Sequence, residues 1–326
     1  MKKVLFATTA LVATAGVAAA DVTFGGYGRF GVLYSEGAAD EWSLTSRFRL
    51  IVTGTAESDN GLSFGAQVRY QADGHGATRD SASTASGPVL TPGGTTTITV
   101  VTSVSNGTAG FNTPRFWVTS NGFTVSVGNV LGAIENMPNM YTGSIGLTGL
   151  GYGNVVYNSG ANPWAADAYS SGGSGSQGID VIWSGGAWGV HLSHSWDDQG
   201  NAGRGFDRTG LAVSYAFGNW TLGAGYQDGG TGDTEWVLTS GTNFGNWDVA
   251  FNIADNAGGL KYGAAFNYQA TASTFIRGYL NHDESVSDEY IGIGVHHRLG
   301  GGTFLEGGIA DLAGTTRADL GLRFSF

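Results

Sequence analysis

The sequence predicts an all-β chain closed into a transmembrane antiparallel β-barrel of 16 strands, and three observations predict it. Apolar and polar residues alternate with period two in one segment after another, the segments number sixteen, and the connections between them alternate strictly between short and long. An even count lets a sheet close on itself with both chain ends at the same rim.

Met1 to Ala20 stands apart from that pattern. Lys2 and Lys3 precede an apolar run from Val4 to Val17, and Ala18-Ala19-Ala20 precede Asp21. This is the layout of a secretory signal peptide cleaved after Ala20, too short in its apolar part for a membrane-anchoring helix. Residues 21–326 are then the barrel. Cleavage leaves Lys261 and twelve arginines against 26 acidic residues, a net charge of −13. That balance leaves no basic footprint for phosphates and excludes nucleic acid as a partner. The chain has no cysteine and, after the signal, no run of eighteen apolar residues, so no transmembrane helix follows. Glycine at 57 positions disfavours helices, each glycine costing about 1 kcal/mol relative to alanine.

The first mature segment, VTFGGYGRFGVLY, contains Gly26, Gly28 and Gly31 at Gly-x-Gly-x-x-Gly spacing. A dinucleotide fingerprint needs a helix after it, whereas here Val22, Phe24, Phe30, Val32 and Tyr34 alternate with Thr23, Tyr27 and Arg29. The segment is a strand. The same alternation marks further strands starting near 43, 61, 114, 122, 178, 187, 208, 220, 234, 247, 260, 273, 289, 303 and 317, the last carrying Leu320, Leu322, Phe324 and Phe326 against Asp319, Arg323 and Ser325.

Asp59-Asn60-Gly61, Asn121-Gly122, Ser184-Gly185-Gly186, Gly218-Asn219, Gly245-Asn246 and Gly300-Gly301-Gly302 suit tight hairpins. Longer polar connections lie between them, two of them very long, about 73–113 and 131–177. Short turns at one rim and long loops at the other are expected of an outer-membrane barrel, with lipid against its apolar face. Aromatics mark the short-turn rim. Phe-Gly-Asn-Trp occurs at 217–220 and again at 244–247, and Phe123 and Trp188 hold the corresponding place in two other hairpins, as a headgroup-level belt requires.

Arg29, Arg47, Arg49 and Arg69 fall on the polar parity of three consecutive strands, and Arg115 opens the fourth. Facing them outward would cost about 2–4 kcal/mol each at the bilayer midplane, so they should project into the lumen. They either pair with acidic loop residues and fix the wall, or line the pore, and both roles are compatible.

Catalysis and metals are poorly supported. His191, Ser193, His194 and Asp197 suggest a hydrolase, yet His191 and His194 are an odd number apart on a strand and face opposite sides, as do His296 and His297. No nucleophile elbow or zinc motif is present, so no enzyme and no cofactor is expected. Asp283, Glu284, Asp288 and Glu289 suit calcium chemically, although their spacing matches no ordered calcium loop.

These features resemble the general porins of Gram-negative outer membranes, in particular the alphaproteobacterial type. The resemblance is carried by DVTFGGYGRFGVLY after the signal, SLTSRFRLIVTGTAESDNGLSFGAQVRY, GFTVSVGNVLGAIENM and the terminal ADLGLRFSF. It implies a sixteen-stranded homotrimer that passes ions and small hydrophilic solutes, with its third long loop folded inward as a constriction. That loop would be about 131–177, bringing Glu135 and Asp167 to face the arginines. The 73–113 loop would latch onto a neighbouring subunit, but its TTTITVVTSV segment departs from a latch and suits an extra hairpin. The alternatives on the same barrel are a substrate-specific channel, which saturates with one solute, and an adhesin, which conducts poorly.

Overall fold

A computed structural model describes residues 21–75, 84–91, 94–101, 107–141, 143–150, 153–155, 177–196, 207–228, 235–256, 259–286 and 288–326. The signal-peptide segment therefore lies outside the described residues. The strands are β1 (Asp21–Ser35), β2 (Trp42–Glu57), β3 (Ser63–His75), β4 (Thr84–Thr91), β5 (Gly94–Val101), β6 (Gly107–Phe111), β7 (Arg115–Ser120), β8 (Phe123–Gly128), β9 (Gln177–Gly185) and β10 (Trp188–Trp196). There follow β11 (Arg208–Phe217), β12 (Trp220–Asp228), β13 (Glu235–Phe244), β14 (Trp247–Asn256), β15 (Gly259–Gln269), β16 (Thr274–Asp283), β17 (Asp288–Gly300), β18 (Thr303–Leu312) and β19 (Thr316–Ser325).

Each barrel strand pairs antiparallel with its neighbours, and β19 closes on β1 in register from Tyr27 opposite Ser325 to Ser35 opposite Arg317. Because β6 and β7 both pair with β3, they are two halves of one wall strand, and the closed sheet has sixteen staves as the alternation predicts. The fourth stave differs from expectation at its start. It begins at Gly107, not near 114. Pro114 has no N–H to give the ladder, and the chain bulges over 112–114; the Asn112 side chain accepts the Arg69 N–H at 2.8 Å while the Arg69 carbonyl receives the Asn112 N–H at 2.9 Å. The long connection expected over 73–113 shrinks accordingly, because β3 runs to His75 and the TTTITVV stretch pairs as the β4–β5 hairpin. The second long connection runs from 129 to 176 between β8 and β9.

Tight turns have the backbone their residues favour. Asn121 and Gly122 both take positive φ, 48° and 81°, the signature of a type I′ hairpin. Along each stave the two faces differ. On β12 Trp220, Leu222, Ala224 and Tyr226 are exposed while Gly223, Gly225 and Gln227 are buried, and on β17 Ile291, Ile293 and Val295 are exposed while Gly292, Gly294 and His296 are not. A continuous apolar outer wall of this kind is far beyond the patch a water-soluble monomer shows, and suits hydrocarbon.

Aromatics ring this wall at both rims. At the short turns Trp188 packs on Tyr215 with ring centroids 4.5 Å apart, and Trp247 on Tyr268 at 4.4 Å. At the long-loop rim Trp42, Phe111, Trp196, Tyr226 and Tyr262 are exposed, a second girdle legible in the sequence as aromatics at strand ends beside long loops. The chain terminus is part of the seam: Phe326 exchanges two backbone hydrogen bonds with Gly26 (3.0 and 3.1 Å) and stacks on Phe48. Gly28 is covered by Phe324, whose ring would lie 2.5 Å from any Cβ there, so the dinucleotide-like glycines serve packing at the closing strand.

At the long-loop rim the seam is clasped by Glu36, whose carboxylate accepts the Thr316 N–H at 2.8 Å. That hydrogen bond holds its acid below the usual carboxylate range. With a folded value depressed below the unfolded one of about 4.3, the clasp is complete above the unfolded value and is lost as pH falls through the folded value. Titration of the Glu36 carboxyl carbon by NMR is expected to show this low midpoint, and Glu36→Gln to abolish the transition. A midpoint at or above the ordinary value would contradict the clasp.

Candidate pore constriction

The connection from 129 onward turns into the barrel. Its described residues follow the inner wall around most of the circumference, held by one contact after another. The Ala133 N–H donates to Ser193 Oγ on β10 at 2.8 Å. Thr239 on β13 donates its hydroxyl to the Pro138 carbonyl at 2.8 Å, and Asn252 on β14 its amide to the Asn139 carbonyl at 3.1 Å. Asn139 in turn donates to the Thr221 carbonyl on β12 at 3.2 Å, and Asn281 on β16 donates to the Gly153 carbonyl. The far end is fixed at the seam. Asp319 on β19 accepts the N–H groups of Leu147 (2.9 Å) and Thr148 (2.7 Å) and the Thr148 hydroxyl (2.6 Å), while Arg29 on β1 donates to the Leu147 carbonyl at 2.8 Å.

Glycines on the inner face make this docking sterically possible. A Cβ at Gly225 would lie 2.5 Å from the Met137 sulfur, one at Gly292 2.5 Å from the Ile145 side chain, and one at Gly321 2.6 Å from Leu147. The loop side chains fill those recesses and form two dry clusters with the wall, one of Ile134, Met137, Met140 and Val155 on Ala212, Val237 and Ala254, the other of Ile145 and Leu150 on Ala265, Tyr279 and Ala310. The alternation rule, which puts polar residues inward everywhere, is therefore overridden on β11–β18 where the loop lies against the wall, at positions such as Gly225, Val237, Ala254, Ala265 and Ala310, while other inward positions there, among them Gln227, Glu235, Asn252, Lys261 and Glu306, are polar and buried. Beside the loop a polar cavity of about 430 Å³ remains, lined by Asn219, Asn243, Asp248, Asn267 and Arg277 among others.

The arginine wall lies on the seam side. Arg47 donates to Asp73 as an ion pair and, at 3.4 Å, to the Tyr27 hydroxyl. Arg49 donates twice to Gln71, whose amide donates to Asp73 at 2.6 Å, and its guanidinium lies 5.1 Å from the Tyr27 ring. Arg69 shares the parity of Gln67, Gln71 and Asp73 on β3. Arg115 donates to Ser126 Oγ at 2.8 Å and pairs with Asp180 at 3.4 Å. The structure thus brings Arg29, Arg47 and Arg49 onto one patch with Arg69 and Arg115 beside it. The ion pairs recorded for Arg47 and Arg115 are to wall carboxylates, not to the loop.

Glu135 sits on the loop between the Ser193 and Met137 contacts, half-buried, with its Oε2 out of contact with solvent. Asp167 lies outside the described residues. Two groups escaped the sequence reading: Arg323, which points inward beside Glu306 at 3.9 Å, and Asp319, which latches the loop. Parity on the terminal strand, together with closure of β19 on β1, was the signal that could have found both.

The histidines divide as their spacing predicts. His191 is buried 3.6 Å from Asp180, whereas His194 bonds Thr209 on the outer face; His296 faces Glu306 and His297 faces Thr274. Asp283 is fully buried against Lys261 and Glu284 receives the Tyr262 hydroxyl, so these two carboxylates are committed to different partners. Among the described residues no group of three or more His, Asp or Glu is placed to hold a metal ion.

The family model described as Gram-negative porin matches this chain over residues 7–317. The chain belongs to the Gram-negative porin family. Curated relatives of this porin are the porin of Fuscovulum blasticum, 29% identical with 94% of this chain and all of the relative covered, and the porin of Rhodobacter capsulatus, 26% identical with the same coverages. Among solved structures, two engineered variants of the Rhodopseudomonas blastica porin superpose with TM-scores of 0.72 and 0.73 at 25% identity, each covering 94% of this chain and 100% of that one. The porin is accordingly a passive channel of the Gram-negative outer membrane, and its apolar girdle and two aromatic belts are the features that fit it there.

Proposed function

We propose that the arginine wall and the infolded loop form a charged constriction through which ions and small hydrophilic solutes diffuse, without catalysis. The observation that carries this reading is the asymmetry of the lumen. The described part of loop 129–155 covers the inner wall from β10 to β19 with its own dry packing and reaches β1 at Arg29, which leaves the opening on the side of β2 and β3, where Arg47, Arg49 and Arg69 stand. Guanidinium groups stay charged at any working pH. With Glu135 on the loop side, a field crosses the opening and orients water and dipolar solutes. An apolar solute that fits must disturb that water without compensation and is discriminated against. The mature chain begins at Asp21 after export, assembles as a homotrimer and sits in outer-membrane lipid.

The test is electrical. Replacing Arg47, Arg49 and Arg69 together with neutral residues should shift the zero-current potential in a salt gradient toward cations by a readily measured amount, with the channel still open. An unchanged potential would refute the constriction. The adhesin alternative predicts poor conduction by the parent.

A further inference from the structure

The register of the seam sets three arginines on one rung, with Arg29 reaching the Leu147 carbonyl, Arg47 reaching Asp73 and Arg323 lying over the Tyr27 ring. Arg323 on β19 stands opposite Arg29 on β1, and Arg29 stands opposite Arg47 on β2, so one rung carries cation next to cation next to cation before ending at Asp73 on β3. Neighbouring strands are about 4.8 Å apart, and like charges directly opposite one another weaken a sheet. Wall stability therefore does not account for the row. The next rung adds Arg49, and both Arg49 and Arg323 lie against the Tyr27 ring, at 5.1 and 4.7 Å.

The surrounding carboxylates do not balance this patch. Arg323, Arg29, Arg47, Arg49, Arg69 and Arg115 face inward on β19, β1, β2, β3 and β7, against Asp73 and Asp319 on the same staves and Asp180 on β9, which pairs with Arg115. Asp319 is already engaged by the Leu147 and Thr148 N–H groups, and Glu306 flanks the row from β18 at 3.9 Å from Arg323. The described part of the connection after β8 carries one acidic residue, Glu135. Other described acids, such as Glu36, Asp40, Glu41, Glu284 and Glu289, belong to the long-loop rim. At 1 M salt the Debye length is about 3 Å, so those rim charges are screened from the passage.

We propose that the rung Arg323–Arg29–Arg47 is a subsite for polyatomic oxyanions and that the pore passes anions in preference to cations. The planar guanidinium fork matches phosphate and carboxylate groups two oxygens at a time, and an oxyanion in the row relieves the repulsion between its members. This rests on the channel reading above and gives that channel a solute class.

The mature chain in planar bilayers tests it. In a gradient of concentrated KCl the zero-current potential is expected to have the sign of chloride preference, and millimolar inorganic phosphate is expected to reduce the chloride current saturably. Arg29→Gln with Arg323→Gln should weaken the phosphate effect at least tenfold and move the potential toward potassium. Arg323→Lys, which keeps the charge and loses the fork, should weaken the phosphate effect alone. Potassium preference in the parent, or a phosphate effect surviving in the double variant, would overturn the proposal while leaving the channel intact. A folded parent that carries no current would overturn the channel reading itself.

Discussion

Replacing Asp319 with alanine is expected to release the far end of the constriction loop and widen the pore. The carboxylate accepts three hydrogen bonds from Leu147 and Thr148, and both backbone donors are at a site where the loop packs against Gly31 and Gly321. Leaving a buried donor unpaired costs about 1–3 kcal/mol, so losing this cap should disfavour docking of the loop end by about 3 kcal/mol, roughly a hundredfold in its equilibrium. Single-channel recordings should show a higher mean conductance with added open-channel noise. The barrel itself should keep its strand content, because the wall ladder on β19 is untouched. Asp319→Asn keeps one acceptor oxygen and should fall between the two. Conductance indistinguishable from the parent would mean that the loop is held by its two dry clusters without this latch.

The second large effect concerns the outer face. Ile293 is at the middle of β17, exposed between Ile291 and Val295. An arginine there would put a charge at the depth where the cost is greatest, about 2–4 kcal/mol. Denaturant titration of the lipid-reconstituted barrel, followed by its shift in gel mobility, should show that loss for Ile293→Arg. The same residue introduced at Thr23, on the inward parity of β1, should leave stability near the parent value. Equal losses at both positions would mean that the two faces are not distinguished by their surroundings, and the orientation of every stave would be in question.

Most of the barrel was legible because its strands obey local rules. A stave needs only alternation and a turn residue with positive φ, and both are written within ten residues, as at Asn121-Gly122 between β7 and β8. The fourth stave was shortened in the reading because Pro114 looks like an end, and the side-chain substitution by Asn112 that carries the ladder across it depends on Arg69, 43 residues away. The arginine wall was legible for the same reason as the strands, since parity fixes the face. The site's other half was not. Nothing local to Gly225, Gly292 or Gly321 says that a loop side chain occupies the missing Cβ, and nothing local to Ala254 or Ala265 says that its inward face is dry. Those facts belong to a docking partner more than seventy residues away in the chain. Arg323 was visible as a polar residue on the last strand, but its place beside Arg29 appears only when the sheet closes.

The latch between Leu147, Thr148 and Asp319 also orders assembly in time. The two partners are 172 and 171 residues apart, and the second arrives with the last strand of the chain. Contacts of such separation form late, because the entropy of joining distant segments must be lost before they are rewarded. The loop can lie down on β10–β16 earlier, but the Asp319 part of its anchor is missing until β19 has been added. Full fixation of the constriction therefore waits on the last strand of the chain, so that the narrowing of the passage and the closing of the wall are coupled.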